Sequence, residues 1–107
     1  MRNIAEFTLI GHVGTIKTVG KTARVTICAN YPFKDKAGEW KDDPHWNEVT
    51  IFAPSIQKYL NEHVGKGDLV HVRGRIRQNS YESNGQRIYT VDLIGLELGR
   101  LAKASAA

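Results

Sequence analysis

Val70-His71-Val72-Arg73-Gly74-Arg75-Ile76-Arg77 reads, at a period of two, as one strand with two unlike surfaces. Val70, Val72, Gly74 and Ile76 face one way and are apolar or lack a side chain, while His71, Arg73, Arg75 and Arg77 face the other. The apolar side belongs on a core. Guanidinium groups at i, i+2 and i+4 repel one another unless a polyanion lies across them, which makes a nucleic-acid backbone the first partner to consider. The same stripe would also serve a solvated edge strand, where charge discourages aggregation. Both readings stand at this point.

Working outward, the chain of 107 residues allows one domain with a single modest core. A hydrophobic share of 41% and a mean hydropathy of -0.37 belong to a soluble globular protein. No run approaches the length of a membrane span, and Met1-Arg2-Asn3-Ile4-Ala5-Glu6 lacks the apolar core of a signal peptide. Cys28 is the only cysteine, so no internal disulfide can form and a cytoplasmic location is expected. The formal charge of +4 favours an anionic partner, although where the charges stand matters more than their sum.

Two earlier segments alternate in the same way. Ala5 to Val13 places Phe7, Leu9, Gly11 and Val13 inward, and Ala23 to Asn30 places Val25 and Ile27 inward. A third, Trp46 to Phe52, sets Asn47, Val49 and Ile51 against Trp46, Glu48, Thr50 and Phe52. The opening stretch is the fourth strand, and Gln86 to Leu96 the fifth. Gly20-Lys21 closes the first hairpin and Asn84-Gly85 the last, while Lys34 to Pro44 reads as a polar loop around Gly38. Pro54 opens a helix striped by Ile56, Tyr59, Leu60 and Val64, and Gly65 ends it. Three strands, one helix and two strands predict an all-β OB-fold, a five-stranded Greek-key barrel with its helix between strands three and four. A sandwich would need more strands, and a split βαβ fold more helix. The domain is expected over residues 1–100, with 101–107 a short C-terminal extension.

Rings form the second signal. Trp46 and Phe52 stand opposite the core residues of their strand; Phe33 begins the long loop, Trp40 lies within it, and Tyr81 stands near the last hairpin. Lys34, Lys36 and Lys41 share the loop with Phe33 and Trp40. Every base has a π-face, so a ring beside a cationic track can stack bases of any sequence while lysine and arginine neutralise phosphates. The alternative for Trp46 and Phe52 is packing under the loop or helix as core.

Catalytic readings find little. Asp42, Asp43 and His45 cluster in the loop without a second histidine or cysteine, so solvated charge is the simpler account and no metal is expected. His63 suits the C-terminus of the helix, and Cys28 has no base partner. Gly65-Lys66-Gly67-Asp68 is too short for a phosphate loop. Neither an enzyme nor a cofactor is expected.

The ordered motifs resemble the bacterial-type single-stranded DNA-binding protein family. Phe7-Thr8-Leu9-Ile10-Gly11-His12-Val13-Gly14 is similar to its opening strand, and Trp46-Asn47-Glu48-Val49-Thr50-Ile51-Phe52 to its aromatic third strand. Tyr59-Leu60 with Val64 to Ile76 resembles its helix end, lysine-glycine turn and fourth strand, and Gly85-Gln86-Arg87-Ile88-Tyr89-Thr90 its fifth. The likeness covers residues 4 to 98. It implies sequence-independent binding of single-stranded DNA in replication, recombination or repair, with a cytoplasmic, nucleoid-associated location.

The resemblance implies stacking on Trp46 and Phe52, matched in type, and on Phe33 and Tyr81, where the family often has tryptophan. Trp40 has no counterpart and reads equally as loop anchor or base platform. Lys34, Lys36, Arg73, Arg75, Arg77 and Arg87 complete the expected binding set. Arg73 and Arg75 replace residues often uncharged or acidic in the family, so part of the stripe is open to a subunit contact; Arg77 lies nearest the aromatic hairpin. The family's assembly implies a homotetramer, with a homodimer as the alternative, paired through Glu6 to Val13.

Three departures stand out. Thr15 to Arg24 is shorter than usual, and Asn47 replaces a frequent histidine. Gly99 to Ala107 lacks the usual linker and acidic tip, so recruitment of replication or repair proteins is not expected through such a tail. A second resemblance, to primosomal replication protein N, is weakened by the four stacking rings retained here. A third reading is an OB-fold subunit holding protein or sugar on its aromatic face; the arginine stripe argues against sugar, and salt dependence separates phosphate binding from either.

Overall fold

Alternation along the strands becomes an inside and an outside. Val25, Ile27, Val49, Ile51, Val70 and Val72 are fully buried, the adjoining Arg24, Glu48 and Arg73 are exposed, and Thr26, Thr50 and His71 between the buried pairs are half-buried. The computed structural model describes residues 2–104. Its elements are β1 (Glu6–Val19), β2 (Thr22–Asn30), β3 (Phe33–Lys34), β4 (Trp40–Lys41), β5 (Pro44–Ile51), α1 (Pro54–His63), β6 (Leu69–Ser83) and β7 (Gln86–Ala102). Five of them close a barrel in the order β1-β2-β5-β7-β6, with β5 and β7 parallel and the other pairs antiparallel. This is the expected OB-fold, helix included.

Closure depends on two glycines. A Cβ at Gly74 would stand 1.8 Å from the Ile94 carbonyl oxygen, and one at Gly11 would stand 2.2 Å from that of Cys28. At both points a neighbouring backbone occupies the space of a side chain, which lets the sheet curl on itself. A bulge at Arg73/Gly74 adds to the bend in β6 and β7. Leu60 then plugs the barrel from the helix, with Ile56 and Tyr59 partly buried beside it. The Gln57 side-chain amide lies within hydrogen-bond reach of the carbonyls of Lys21, Ile51 and Phe52, which ties the helix to the β1–β2 turn and to the end of β5.

Asp68 fastens the other end. Its carboxylate accepts the Gly65 N–H at 2.9 Å and the Ala104 N–H at 2.8 Å, and its carbonyl accepts the Val13 N–H. These N–H donors hold its pKa below the usual aspartate value, led by Gly65, then Ala104, with Arg100 and Lys103 adding weaker attraction.

Three details differ from the sequence expectation. The Lys34–Pro44 loop contains a small hairpin, β3–β4, because Asp35 accepts the Ala37 and Glu39 N–H groups and Gly38 supplies the positive φ. Ile76 is exposed rather than inward in the core, since β6 runs past the barrel there. The fifth strand continues to Ala102, so the expected boundary at residue 100 falls inside β7, where Leu69 pairs with Ala102. The last part of the expected extension, residues 105–107, lies outside the described residues.

Two predictions follow from closure. Gly74→Ala is expected to lose about 1–3 kcal/mol or more in urea unfolding, because the Ile94 backbone must move. For Asp68→Asn, the folded-state pKa of the parent lies below its unfolded value. Its contribution is therefore complete above about pH 4 and is lost as pH falls through the depressed value. The stability gap between parent and Asp68→Asn should be widest near neutral pH and narrow in acid, as measured by urea melts across that range.

Candidate nucleic-acid interface

The barrel interior is aliphatic, and the rings lie outside it. The chain has two tryptophans, four tyrosines and three phenylalanines. Only Phe7 and Tyr59 are partly buried; Trp40, Trp46, Phe33, Phe52, Tyr81, Tyr31 and Tyr89 are exposed.

Trp46 stands on the outer face of β5, opposite Cys28 of β2, and remains 59% exposed. Its indole reaches across β2 toward β1, where a Cβ on Gly14 would come within 2.5 Å of the ring and 2.8 Å of Thr26 Oγ1. Gly14 thus leaves the space that the indole occupies. Thr26 Oγ1 accepts the Thr15 N–H at 2.8 Å, which holds the bulged β1 in place beneath it. On its other side Trp46 borders a cleft of about 300 Å³ with Asn47, Thr50, Val91, Asp92 and Leu93. Phe52 follows β5 directly, exposed, with its carbonyl held by Gln57.

The β3–β4 hairpin has two mixed faces. Phe33 is opposite Lys41, and Lys34 is opposite Trp40. Directly paired residues share a face, so each side of the hairpin carries one ring and one ammonium group. Lys36 sits in the turn between them. Lys41 also pairs with Glu39 at 3.7 Å.

The arginine stripe splits. Arg73 and Arg75 line a groove of about 540 Å³ with Arg2, Ile4, Glu6 and Leu96, and no aromatic residue takes part. Arg73 pairs with Glu6 at 3.7 Å; Arg75 makes no ion pair among the described residues. Arg77 instead reaches Asp92 at 3.1 Å, and Asp92 belongs to the Trp46 cleft. Of the three, Arg77 alone is connected to an aromatic site.

Strand register also divides the β6–β7 hairpin. Arg77, Asn79 and Tyr81 pair with Asp92, Thr90 and Ile88 on one face. Arg87 pairs with Glu82 on the other, in line with Tyr89 and Val91, and its guanidinium bonds Ser80 and Glu82. Tyr81 and Arg87 therefore serve opposite sides of the hairpin.

Two exposed rings escaped the sequence reading. Tyr89 looked like ordinary strand propensity, and Tyr31 stood just past the second alternation with no pattern to mark it. Both could have been found by asking which rings fall outside the segments that the barrel can bury. Around Asp42, Asp43 and His45, the side chains bond one another and Asn30. Among the described residues no group of three metal-ligating side chains comes together. No helix there is long and apolar enough to cross a membrane.

Known proteins share this architecture. A Plasmodium falciparum SSB solved in complex with ssDNA superposes with a TM-score of 0.74 at 22% identity, over 94% of this chain and 97% of that one. The mitochondrial single-stranded DNA binding protein Rim1 of S. cerevisiae gives a TM-score of 0.77 at 18% identity, over 96% of this chain and 100% of that one. At these identities the likeness concerns the fold. Among curated relatives, a single-stranded DNA-binding protein of Xanthomonas campestris is 25% identical over 94% of this chain and 62% of its own length. Single-stranded DNA-binding protein 1 of Staphylococcus aureus is 30% identical over 67% of this chain and 45% of its own. The chain thus spans less than two thirds of the length of these relatives. The model of the single-strand binding protein family matches residues 4–101, and the chain belongs to that family.

Proposed function

We propose that this chain binds single-stranded DNA without sequence preference and without catalysis, by stacking bases on exposed rings and neutralising phosphates with lysine and arginine. The observation that carries this is the exposure of seven aromatic rings around a core built of aliphatic residues. A folded chain has no reason of its own to leave Trp46, Phe52, Phe33 and Tyr81 in water. Unpaired bases give those rings a partner, and duplex DNA does not. Lys34, Lys36 and Arg77 take the phosphates on these faces, and Arg87 does so on the other side of the last hairpin, in line with Tyr89; Trp40 shares the second hairpin face with Lys34.

Arg73 and Arg75 have a different role in this proposal. They flank β1, whose residues Glu6–Gly11 pair with β6 alone among the described residues. That free edge, with Ile10 exposed beside it, is where a second copy would add its own first strand. The proposed assembly is a homotetramer, with a homodimer as the alternative. Work on DNA in replication, recombination or repair, in the cytoplasm and on the nucleoid, is the role such binding would serve; the names of the curated relatives support the single-strand binding itself.

Fluorescent poly-dT titrated at two salt concentrations, with duplex as control, tests this. Expected are tryptophan quenching, weak duplex binding, and a log–log salt slope of about −0.7 for each phosphate neutralised. Trp46→Ala should lose about 1–3 kcal/mol, the range measured by alanine substitution in single-strand binders of this kind. Equal binding to duplex, or an unaffected Trp46→Ala, refutes the stacking reading.

Asp92→Asn is a test of the electrostatic half. The Arg77–Asp92 pair is partly exposed and adds little to folding, but it occupies the guanidinium and sets a negative charge beside the Trp46 cleft. The variant should bind poly-dT about two- to fivefold more tightly, with a salt slope steeper by about 0.7 as Arg77 turns to a phosphate.

A further inference from the structure

We propose that Tyr31, braced by His45, forms an additional base-binding subsite at the open end of the β2–β5 ribbon. The inference rests on the single-strand binding reading above and adds a ring that the resemblance did not supply. Tyr31 is 67% exposed, among the most exposed rings of the chain. Its setting is nevertheless ordered. Its N–H donates to the Asp43 carbonyl at 3.0 Å. The neighbouring Asn30 side chain accepts the Asp43 N–H at 3.0 Å and donates to Asp42 Oδ1 at 3.1 Å.

The ring itself is braced. The Tyr31 and His45 centroids are 5.5 Å apart with planes at 77°, an edge-to-face contact. His45 Nε2 lies 2.9 Å from Asp43 Oδ2, so the brace is fixed to the same backbone that holds Tyr31. A ring set in place beforehand loses less rotamer freedom when a base stacks on it, which is how an exposed tyrosine becomes a useful platform.

Position separates this subsite from its neighbours. Ala29 pairs with His45 and Cys28 with Trp46, so Tyr31 and His45 belong to the ribbon face opposite Trp46. One base cannot use both rings, and Tyr31 must serve a different nucleotide. Phe33, two residues on, begins the adjoining hairpin and pairs with Lys41, which ends it. The carboxylates of Asp42 and Asp43 repel a phosphate at Tyr31 itself. The subsite therefore takes the flat face of a base, while the phosphates of that nucleotide lie toward Lys34, Lys36 and Lys41.

The test uses the full chain and labelled oligo-dT of increasing length at two salt concentrations, comparing the parent with Tyr31→Ala, Tyr31→Phe, His45→Ala and Trp46→Ala. Thermal melts and light-scattering mass accompany each variant. Tyr31→Ala should weaken binding about fivefold or more, as loss of one stacked base requires, with salt slope, melting temperature and mass unchanged. Tyr31→Phe should bind like the parent, and His45→Ala should show a smaller loss in the same direction. If Tyr31→Ala binds as tightly as the parent while Trp46→Ala is weakened, the subsite is wrong and the single-strand reading stands. If Tyr31→Ala changes the assembly mass or the salt slope, Tyr31 acts through a subunit contact or phosphate placement, and the subsite is equally overturned. A parent that does not bind oligo-dT, or an unaffected Trp46→Ala, removes the broader reading and the subsite with it.

Discussion

Close approach of backbone to backbone at Gly11 and Gly74 is the constraint from which the rest of this structure follows. A sheet of five strands closes only if some strands bend sharply, and at the bend there is no room for a side chain. Closure makes the interior narrow. Valine, isoleucine and leucine fill it, each fully buried side chain contributing about 1.5–3 kcal/mol against the entropy of ordering the chain. Asp68 secures the end of the barrel by joining β1, the turn after α1 and the segment after β7 through three hydrogen bonds.

A narrow aliphatic interior pushes rings to the outside. Trp46 occupies the space left by Gly14, the carbonyl of Phe52 is held by Gln57, and the hairpins carry Phe33, Trp40, Tyr81 and Tyr89 away from the barrel. The same closure separates the charges. β6 passes from the side of β1 to the projecting hairpin, so successive arginines on one strand come to face different surroundings. Arg73 meets Glu6 near the free edge of β1, whereas Arg77 meets Asp92 beside the tryptophan cleft. One stripe therefore takes on two roles, assembly and binding, in the function proposed for this chain.

Much of this was legible in the chain itself. Strict alternation marks Val25, Ile27, Val49, Ile51, Val70 and Val72 as inward, and all are fully buried. Pro54 and the Ile56, Tyr59, Leu60 stripe announce the helix, because a period of 3.6 and a first-turn proline are local facts. The β3–β4 hairpin was not legible, since two-residue strands have no measurable period and depend on Asp35 side-chain bonds. Ile76 misled for the opposite reason. Its parity is correct, but parity does not say where the barrel ends.

What the sequence by itself determined is the set of faces: which residues share a side of each strand, where the helix stands, and that rings and cations occupy the outward positions. Those are properties of neighbours two to four residues apart, governed by backbone periodicity alone. Only the tertiary structure decided which outward residues meet. It brought Gly14 under Trp46, set Asp92 between Trp46 and Arg77, and braced Tyr31 with His45. Each of these depends on strand pairing or barrel curvature between segments distant in sequence. Such contacts arise from closing the sheet, so no local pattern could carry them.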